Sequence, residues 1–374
     1  MDAYARVVRD TFDVVAYRML HCADVHLETT FAQTRGGSAR RKALADAFVR
    51  IVDEALARDV DALTIGGDLY ESARAGPQTV RFLFEQFARF GRPIYIAPGN
   101  HDPHGPATLL ARGDLPENVK IFNEAAWRAY PLAEGVTLFG FGHTPAEPGR
   151  PFARTTFDRG GVQLALVHGS DEERCPPNKR ATAPFTTGEA MAAGATLVLT
   201  GHYHGGYITT RENRPVVAYP GSPEPLRFGE SDVHGALEIT IEGTDARAKA
   251  IPIARTRLIE RTCDLADASS EHAVFASVES ALADCGRNDY VRMRLHGGIQ
   301  GGTRIDTELI AERLGAPLGS LEILDETIAH DYAAIALEPT VRGHVARDLL
   351  ARGDAGTAAL RYALAAFDGT EIAP

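Results

Sequence analysis

Along the first 200 residues, short apolar runs of strand length alternate with longer segments whose apolar residues recur every three or four positions. The runs at 60–67, 93–97, 136–141, 162–167 and 195–200 are nearly free of polar residues, which predicts strands buried on both faces. Between them, Leu44, Phe48, Ile51, Val52, Ala55 and Leu56 fall on one helical face, and Val80, Leu83, Phe84, Phe87 and Phe90 on another. This alternation predicts an α/β layered fold with a largely parallel sheet. From about residue 205 the helical signal fades, and 215–219, 235–241 and 246–253 read as strands of a second sheet. Beyond Ile253, charged helices mix with short strands at 290–295 and 321–324. A boundary near residue 255 therefore separates a first domain, 1–255, from a smaller α+β domain, 256–374.

Composition narrows the class. The chain of 374 residues is 44% hydrophobic and 24% charged, a globular balance with length enough for two cores. No apolar run approaches the roughly 18 residues of a membrane span. The first 18 residues are charged throughout and lack the apolar centre of a secretory signal. Cys22, Cys175, Cys263 and Cys285 are far apart and form no CxxC pair, so neither a disulfide framework nor a cysteine zinc site is expected. The expected compartment is the cytoplasm.

The net charge of −11 offers no overall attraction to a polyanion. Its distribution is uneven: residues 1–250 hold 27 Lys/Arg against 31 Asp/Glu, and residues 251–374 hold 12 against 19. Within the first part, Arg35, Arg40, Arg41 and Lys42 form one basic cluster and Lys179 with Arg180 another. A solvated face explains such clusters as readily as a phosphate contact does.

Chemistry concentrates where the apolar runs end. Asp24-Val25-His26 follows the first run, and alternation along an extended chain would set the carboxylate and the imidazole on one side. Gly66-Gly67-Asp68 closes the second run, where open α/β sheets bind ligands, although a turn-capping aspartate explains the triplet taken alone. Gly99-Asn100-His101-Asp102 supplies an amide oxygen able to ligate a metal, a histidine free for proton transfer, and an aspartate able to orient it. Val167-His168-Gly169 and Gly201-His202-Tyr203-His204 end two further runs. Histidines at turns are poorly explained as core packing, because a buried imidazole needs partners for its nitrogens.

The ordered series DVH, GGD, GNHD, VHG and GHYH, spread over roughly residues 17–225, resembles the calcineurin-like metallophosphoesterases. That resemblance implies a fold of two packed β-sheets flanked by helices. It also implies two divalent metal ions, one held by Asp24, His26, Asp68 and His204 and the other by Asp68, Asn100, His168 and His202, with Asp68 shared. In-line displacement at phosphorus is the implied reaction. His101 is the implied proton donor to the leaving oxygen, with Asp102 holding its ring.

Within the superfamily, the segments ADVHL, GGDLYES and Tyr219-Pro220-Gly221-Ser222-Pro223 look like the SbcD/YhaO-like branch of DNA repair nucleases. That likeness implies manganese as the metal, DNA as substrate, and an SMC-type coiled-coil ATPase or a second copy of the chain as partner. Glu71 stands where many nucleases of that branch place a histidine. A small-molecule phosphodiesterase, acting for example on cyclic nucleotides, and a non-catalytic scaffold for such an ATPase are the rival readings. An open groove lined by Arg35, Arg40, Arg41, Lys179 and Arg227 would favour a polynucleotide, with Arg40, Arg41 and Lys42 on its phosphates, and a closed pocket the small substrate. The intact ligand series argues against the scaffold. Near the C-terminus, 341–351 and 359–367 predict two helices whose Leu349, Leu350, Leu360, Tyr362, Leu364 and Phe367 pack inside the domain or dock a partner.

Overall fold

The computed structural model describes residues 16–31, 36–106, 108, 110, 115–146, 148–175, 181–230, 233–265, 268, 270–300 and 303–369. Arg35, Lys179 and Arg180 lie outside them. Two compact units are found: residues 1–30, 38–226 and 230–255 make one, and residues 31–37, 227–229 and 256–374 the other. No helix among the described residues is long and apolar enough to cross a membrane.

The first unit runs β1 (Tyr17–Cys22), α1 (Gly37–Ala57), β2 (Ala62–Ile65), α2 (Pro77–Phe90), β3 (Ile94–Ile96), β4 (Val119–Ile121), β5 (Arg128–Ala133), β6 (Val136–Phe141), β7 (Val162–His168), α3 (Thr187–Ala192), β8 (Leu197–Gly201), β9 (Tyr207–Arg211), β10 (Arg214–Tyr219), β11 (Gly235–Glu242) and β12 (Asp245–Pro252). Its strands form two six-stranded sheets, ordered β12-β11-β1-β2-β3-β4 and β5-β6-β7-β8-β10-β9. Strands β1 to β4 are mutually parallel, as are β6, β7, β8 and β10. Antiparallel strands lie at both edges of the second sheet, β5 and β9, and at the β12 edge of the first, whereas β4 closes the first sheet in parallel.

The late strands correct the sequence reading. Segments 215–219, 235–241 and 246–253 do not make a second sheet of their own. β10 joins β8, whereas β11 returns to pair antiparallel with β1, Met19 opposite Ile239, and carries β12 with it. Local alternation marks a strand but does not say which distant strand will take its hydrogen bonds.

The two sheets bury Met19, Ala62 and Tyr95 of one against Leu138, Leu164, Leu166, Leu197 and Leu199 of the other. The outer face of the second sheet packs Phe139, Phe141, Val167 and Val198 against Phe152, Phe157 and Phe185. In α1, Leu44, Phe48, Ile51, Val52 and Ala55 are buried, and Phe48 meets Phe82 and Phe87 of α2 edge to face. Leu56, expected on that face, is 39% exposed, since at the helical period it falls outside the arc of Leu44, Ala47, Phe48, Ile51, Val52 and Ala55. Pro77 at the start of α2 and Gly91 at its C-cap, with φ 68°, fit the helix ends where a ring-fixed φ and a left-handed turn are favoured. These helices leave the strands' carboxyl ends uncovered for the loops that follow them.

The second unit contains β13 (Arg257–Asp264), α4 (Glu271–Ala281), β14 (Asp289–His296), β15 (Gly298–Gln300), α5 (Thr307–Gly315), β16 (Ser320–Asp325), β17 (Ile328–His330), α6 (Tyr332–Ala336), α7 (Val341–Leu350) and α8 (Asp354–Phe367). β13, β14 and β16 form a parallel sheet whose Val291, Met293 and Leu295 pack with Val274, Val278 and Ile310 of α4 and α5. Leu360 and Leu364 are buried with Tyr332, Ile335 and Ala346, and Leu349 and Leu350 are partly buried against them. Tyr362 and Phe367 face outward, 50% and 47% exposed.

Candidate metal centre

The loops after β1, β2, β3, β7 and β8 converge at the carboxyl ends of the parallel strands. The segments after β1 and β2 run side by side, with Asp24 N–H donating to Gly67 O, His26 N–H to Asp68 O and Leu27 N–H to Leu69 O, each at 2.9–3.0 Å. Asp24, His26 and Asp68 all take left-handed backbone angles, φ 53°, 50° and 51°. Asp24 and His26 therefore do not share a side through strand alternation. Each is turned separately by a conformation that costs non-glycine residues energy and clusters at functional sites. Glycine is required at position 99, where a Cβ would stand 2.3 Å from Asp68 Oδ1.

Of three groups of potential ligand atoms, His26, Glu71 and His101 are joined by their own hydrogen bonds, and two remain. Asp24, His26 and His204 form one, and Asp68, His168 and His202 the other, each within 4.8 Å. Asp68 lies between them, with Oδ2 3.7 Å from His26 Nε2 and 3.3 Å from His168 Nε2. Asn100 Oδ1 is 3.1 Å from His168 Nε2, which brings it to the second group. Asp24 receives the His202 N–H on both oxygens at 3.0 Å. Asp24, His26, Asp68 and His168 are buried, whereas Asn100 and His101 stand at the exposed rim.

The imidazoles are aimed through their Nδ1 atoms. His168 Nδ1–H donates to Gly66 O at 2.7 Å, His26 Nδ1–H to Glu71 Oε1 at 2.8 Å, and His204 Nδ1–H to Glu230 Oε1 at 2.9 Å. Each bond fixes a tautomer and leaves Nε2 as the ligating atom. His26 Nε2 is buried and makes no hydrogen bond among the described residues, although two carboxylates converge on it. An orphaned lone pair facing carboxylates fits a cation between them. All the donors are carboxylate, imidazole or amide, a set suited to hard and borderline divalent ions.

Charge in the cluster is strongly coupled. Burial penalises a charged His168, but Asp68 and Asp24 outweigh it and push the imidazole up to about 9. Asp68, although buried, is held well below the usual carboxylate range by His168, with His26 and His101 adding to the effect. Asp24 is pushed up by burial and by Asp68, against His168, His204 and His26. His101 is pushed up chiefly by its hydrogen bond to Glu71. Burial resists ionisation of Glu71, but the bonds from His101 and His26 hold it below its ordinary range.

Asp102 does not hold the His101 ring. Its carboxylate is buried and accepts three backbone N–H groups, from Asp68 at 3.0 Å, Leu69 at 2.7 Å and Gly99 at 2.6 Å, so it ties the GGD loop to the GNHD loop. Burial and Asp68 push it up to about 6, against the amides of Gly99 and Leu69. The ring's hydrogen-bond partner is Glu71 instead, whose Oε2 lies 2.9 Å from His101 Nδ1.

Of the residues expected to line a basic groove, Arg35 and Lys179 lie outside the described residues. Arg40 is buried and donates to Pro225 O at 2.5 Å, a structural tie. Lys42 is exposed and paired with Asp46 one turn on. Arg41 is exposed on α1, and Arg227 is exposed but belongs to the second unit.

Sequence reasoning missed Glu230 and His143. Nothing in the sequence connects Glu230 with His204, 26 positions away. His143 did leave a signal, because Phe141-Gly142-His143 ends an apolar run as the ligand histidines do. Its Nε2–H donates to the His168 carbonyl at 2.7 Å, and burial lowers the imidazole to about 4, so it stays neutral in that post.

The profile of the calcineurin-like phosphoesterase family matches residues 17–206. YhaO of Bacillus subtilis (strain 168), described as an uncharacterized metallophosphoesterase, is 27% identical over 300 residues, 74% of this chain and 71% of that protein. The DNA double-strand break repair protein Mre11 of Methanopyrus kandleri is 28% identical over 242 residues, 59% of this chain and 51% of that protein. Mre11 of Aeropyrum pernix is 23% identical over 331 residues, 82% of this chain and 79% of that protein. The chain thus spans about half the length of the Methanopyrus relative.

Proposed function

The chain belongs to the calcineurin-like phosphoesterase family, hydrolases of phosphoric esters that bind divalent metals, and from that premise we propose that it is a phosphodiesterase of DNA, of the repair-nuclease kind, using two manganese ions. The observation that carries this reading is the gathering of the other six candidate ligands around Asp68 in a chain whose relatives include DNA double-strand break repair proteins. Asp24, His26, Asp68 and His204 would hold one ion, and Asp68, Asn100, His168 and His202 the other. When bound, two such ions would supply Lewis-acid polarisation of the phosphoryl group and would activate water as the nucleophile.

The remaining steps fall to the chain's own groups. His101 is 43% exposed on its side chain, at the rim where a substrate arrives. It enters the reaction with a proton on each nitrogen. Nδ1–H stays on Glu71, and Nε2–H passes to the leaving oxygen as the ester bond breaks. Arg41 and Lys42, both exposed on α1, would contact substrate phosphates, and residues 256–374 would serve as an accessory domain. Leu337 and Val341, 84% and 72% exposed, with Tyr362 and Phe367, support docking of an SMC-type coiled-coil ATPase on that domain.

The test is hydrolysis of single-stranded DNA, duplex DNA and cyclic nucleotides side by side, with manganese and with chelator. DNA cleavage that needs manganese and exceeds cyclic-nucleotide turnover is expected. Turnover confined to cyclic nucleotides would overturn the DNA assignment, and no metal-dependent turnover on any phosphodiester would overturn the enzymatic one.

A further inference from the structure

The candidate ligands come from both sheets. Asp24, His26, Asp68 and Asn100 follow β1, β2 and β3 of the first, and His168, His202 and His204 lie at the ends of β7 and β8 of the second. Their mutual spacing therefore depends on how far apart the sheets stand at their carboxyl ends. His21 spans that gap without being a candidate ligand. It is fully buried on β1, two residues beyond Met19 on the face that packs against the second sheet. Its Nε2 lies 3.2 Å from the Thr200 carbonyl of β8, and its Nδ1 3.0 Å from Thr64 Oγ1 of β2. A carbonyl only accepts, so Nε2 carries the hydrogen, and the bare Nδ1 accepts the Thr64 hydroxyl. Burial lowers the imidazole to about 4, which keeps it neutral and both bonds matched. Gly66 leaves room for the ring, since a Cβ there would stand 3.0 Å from His21 Cε1 and 3.1 Å from Gly201 N. A buried polar group is costly unless satisfied, and a satisfied one specifies a single arrangement where apolar packing tolerates several.

Given the ligand assignment proposed above, we infer that His21 is a positioning residue: bonded to Thr64 in one sheet and to Thr200 in the other, it sets the separation of the sheets beside the metal centre and so presets the distances between their ligands. The three bonded residues each lie just before a ligand. Asp24 is three positions after His21, Asp68 four after Thr64, and His202 two after Thr200. Each proposed metal position draws on both sheets, Asp24, His26 and Asp68 with His204, and Asp68 and Asn100 with His168 and His202. A change in separation therefore disturbs both positions together. Other bonds across the gap, His202 N–H to Asp24 and His168 Nδ1–H to Gly66 O, involve candidate ligands, whereas His21 holds the spacing without touching an ion.

The experiment titrates the full metal-free chain with manganese(II), following the loss of the free-ion magnetic resonance signal as ions bind. Thr64→Val, which removes the hydroxyl but keeps the shape, and His21→Leu should each weaken manganese binding about 10-fold or more, with neither position left at its original affinity. Thr64→Ser restores the hydroxyl and His21→Gln an N–H toward Thr200, so both should recover most of that affinity. Leu164→Ala, a cavity in the same inter-sheet core, should lower resistance to denaturant yet bind manganese as the wild type does. Nitrogen magnetic resonance of the metal-free wild type should show a slowly exchanging imidazole Nε2–H that is absent from His21→Leu and displaced in Thr64→Val. Circular dichroism checks that each variant is folded, and if His21→Leu is not, the Thr64 pair decides. Wild-type affinity in folded Thr64→Val, or an equal loss in Leu164→Ala, would overturn the positioning role while leaving the two-metal reading intact. No uptake by the wild type would sink both.

Discussion

Glu71 holds His101 by the ring while its neighbour holds the backbone: Glu71 Oε2 lies 2.9 Å from His101 Nδ1, and the Ser72 hydroxyl donates to the His101 carbonyl at 2.7 Å. The pair fixes both the direction of the imidazole and the position of its peptide. A proton donor held this way should lose its function when the ring is freed, even with every metal ligand in place.

His101→Ala should retain bound manganese and lower kcat on DNA by about 10²- to 10⁴-fold, the usual range for losing a general acid. The deficit should shrink on a nitrophenyl phosphodiester, whose leaving oxygen needs little protonation. Glu71→Gln should show the same dependence on the leaving group. In the double variant, the Glu71 change should add no further leaving-group-dependent loss. An equal deficit on both substrates would remove the proton-donor role.

Asp102 should matter to the fold more than to the proton. Its carboxylate collects three buried amides, and a hydrogen bond to a charged group contributes about 1.5–3 kcal/mol. Asp102→Ala should destabilise the chain by about 3 kcal/mol or more, measured by denaturant unfolding without added metal. A variant of unchanged stability that had lost only leaving-group-sensitive turnover would return the orienting role to Asp102.

Metal uptake should release protons. His168 is pushed up to about 9 by its buried carboxylate neighbours, so at pH 7 it carries a proton that an ion binding at Nε2 must displace. Affinity should rise with pH until about 9, and the calorimetric binding enthalpy at pH 7 should vary with the ionisation enthalpy of the buffer. Because the folded value lies above the unfolded one, protonation of His168 stabilises the metal-free fold fully below about pH 6.5, and that contribution is lost as pH rises through about 9. Binding enthalpy independent of the buffer would count against this.

The basic cluster should divide by burial. Arg41→Ala with Lys42→Ala should weaken DNA binding and flatten its salt dependence, with turnover of a small aryl phosphodiester unchanged. Arg40→Ala should instead lower stability, since the buried guanidinium loses its bond to the Pro225 carbonyl. An unchanged salt slope in the double variant would show that the substrate runs elsewhere.

What the sequence determined by itself was where chemistry sits along the chain. An apolar run of strand length must be buried, so the polar cluster at its end must lie in a loop at the sheet's edge, and five such ends carried Asp24 with His26, Asp68, Asn100 with His101, His168, and His202 with His204. The faces of α1 and α2 were legible for the same reason, since burial imposes the period of the helix. Side-chain direction after a strand ends was decided only by the tertiary structure, because it depends on backbone angles that neighbouring segments impose. Asp24 and His26 reach one place through left-handed turns, and Asp102, beside His101 in sequence, points back to the amides of Asp68 and Leu69. Contacts between distant positions lay equally out of reach. Glu71 on His101, Glu230 on His204, Arg40 on Pro225 and the return of β11 to β1 each join residues 26 or more positions apart. Periodicity reports which residues turn inward, and it carries no information about which of them will meet.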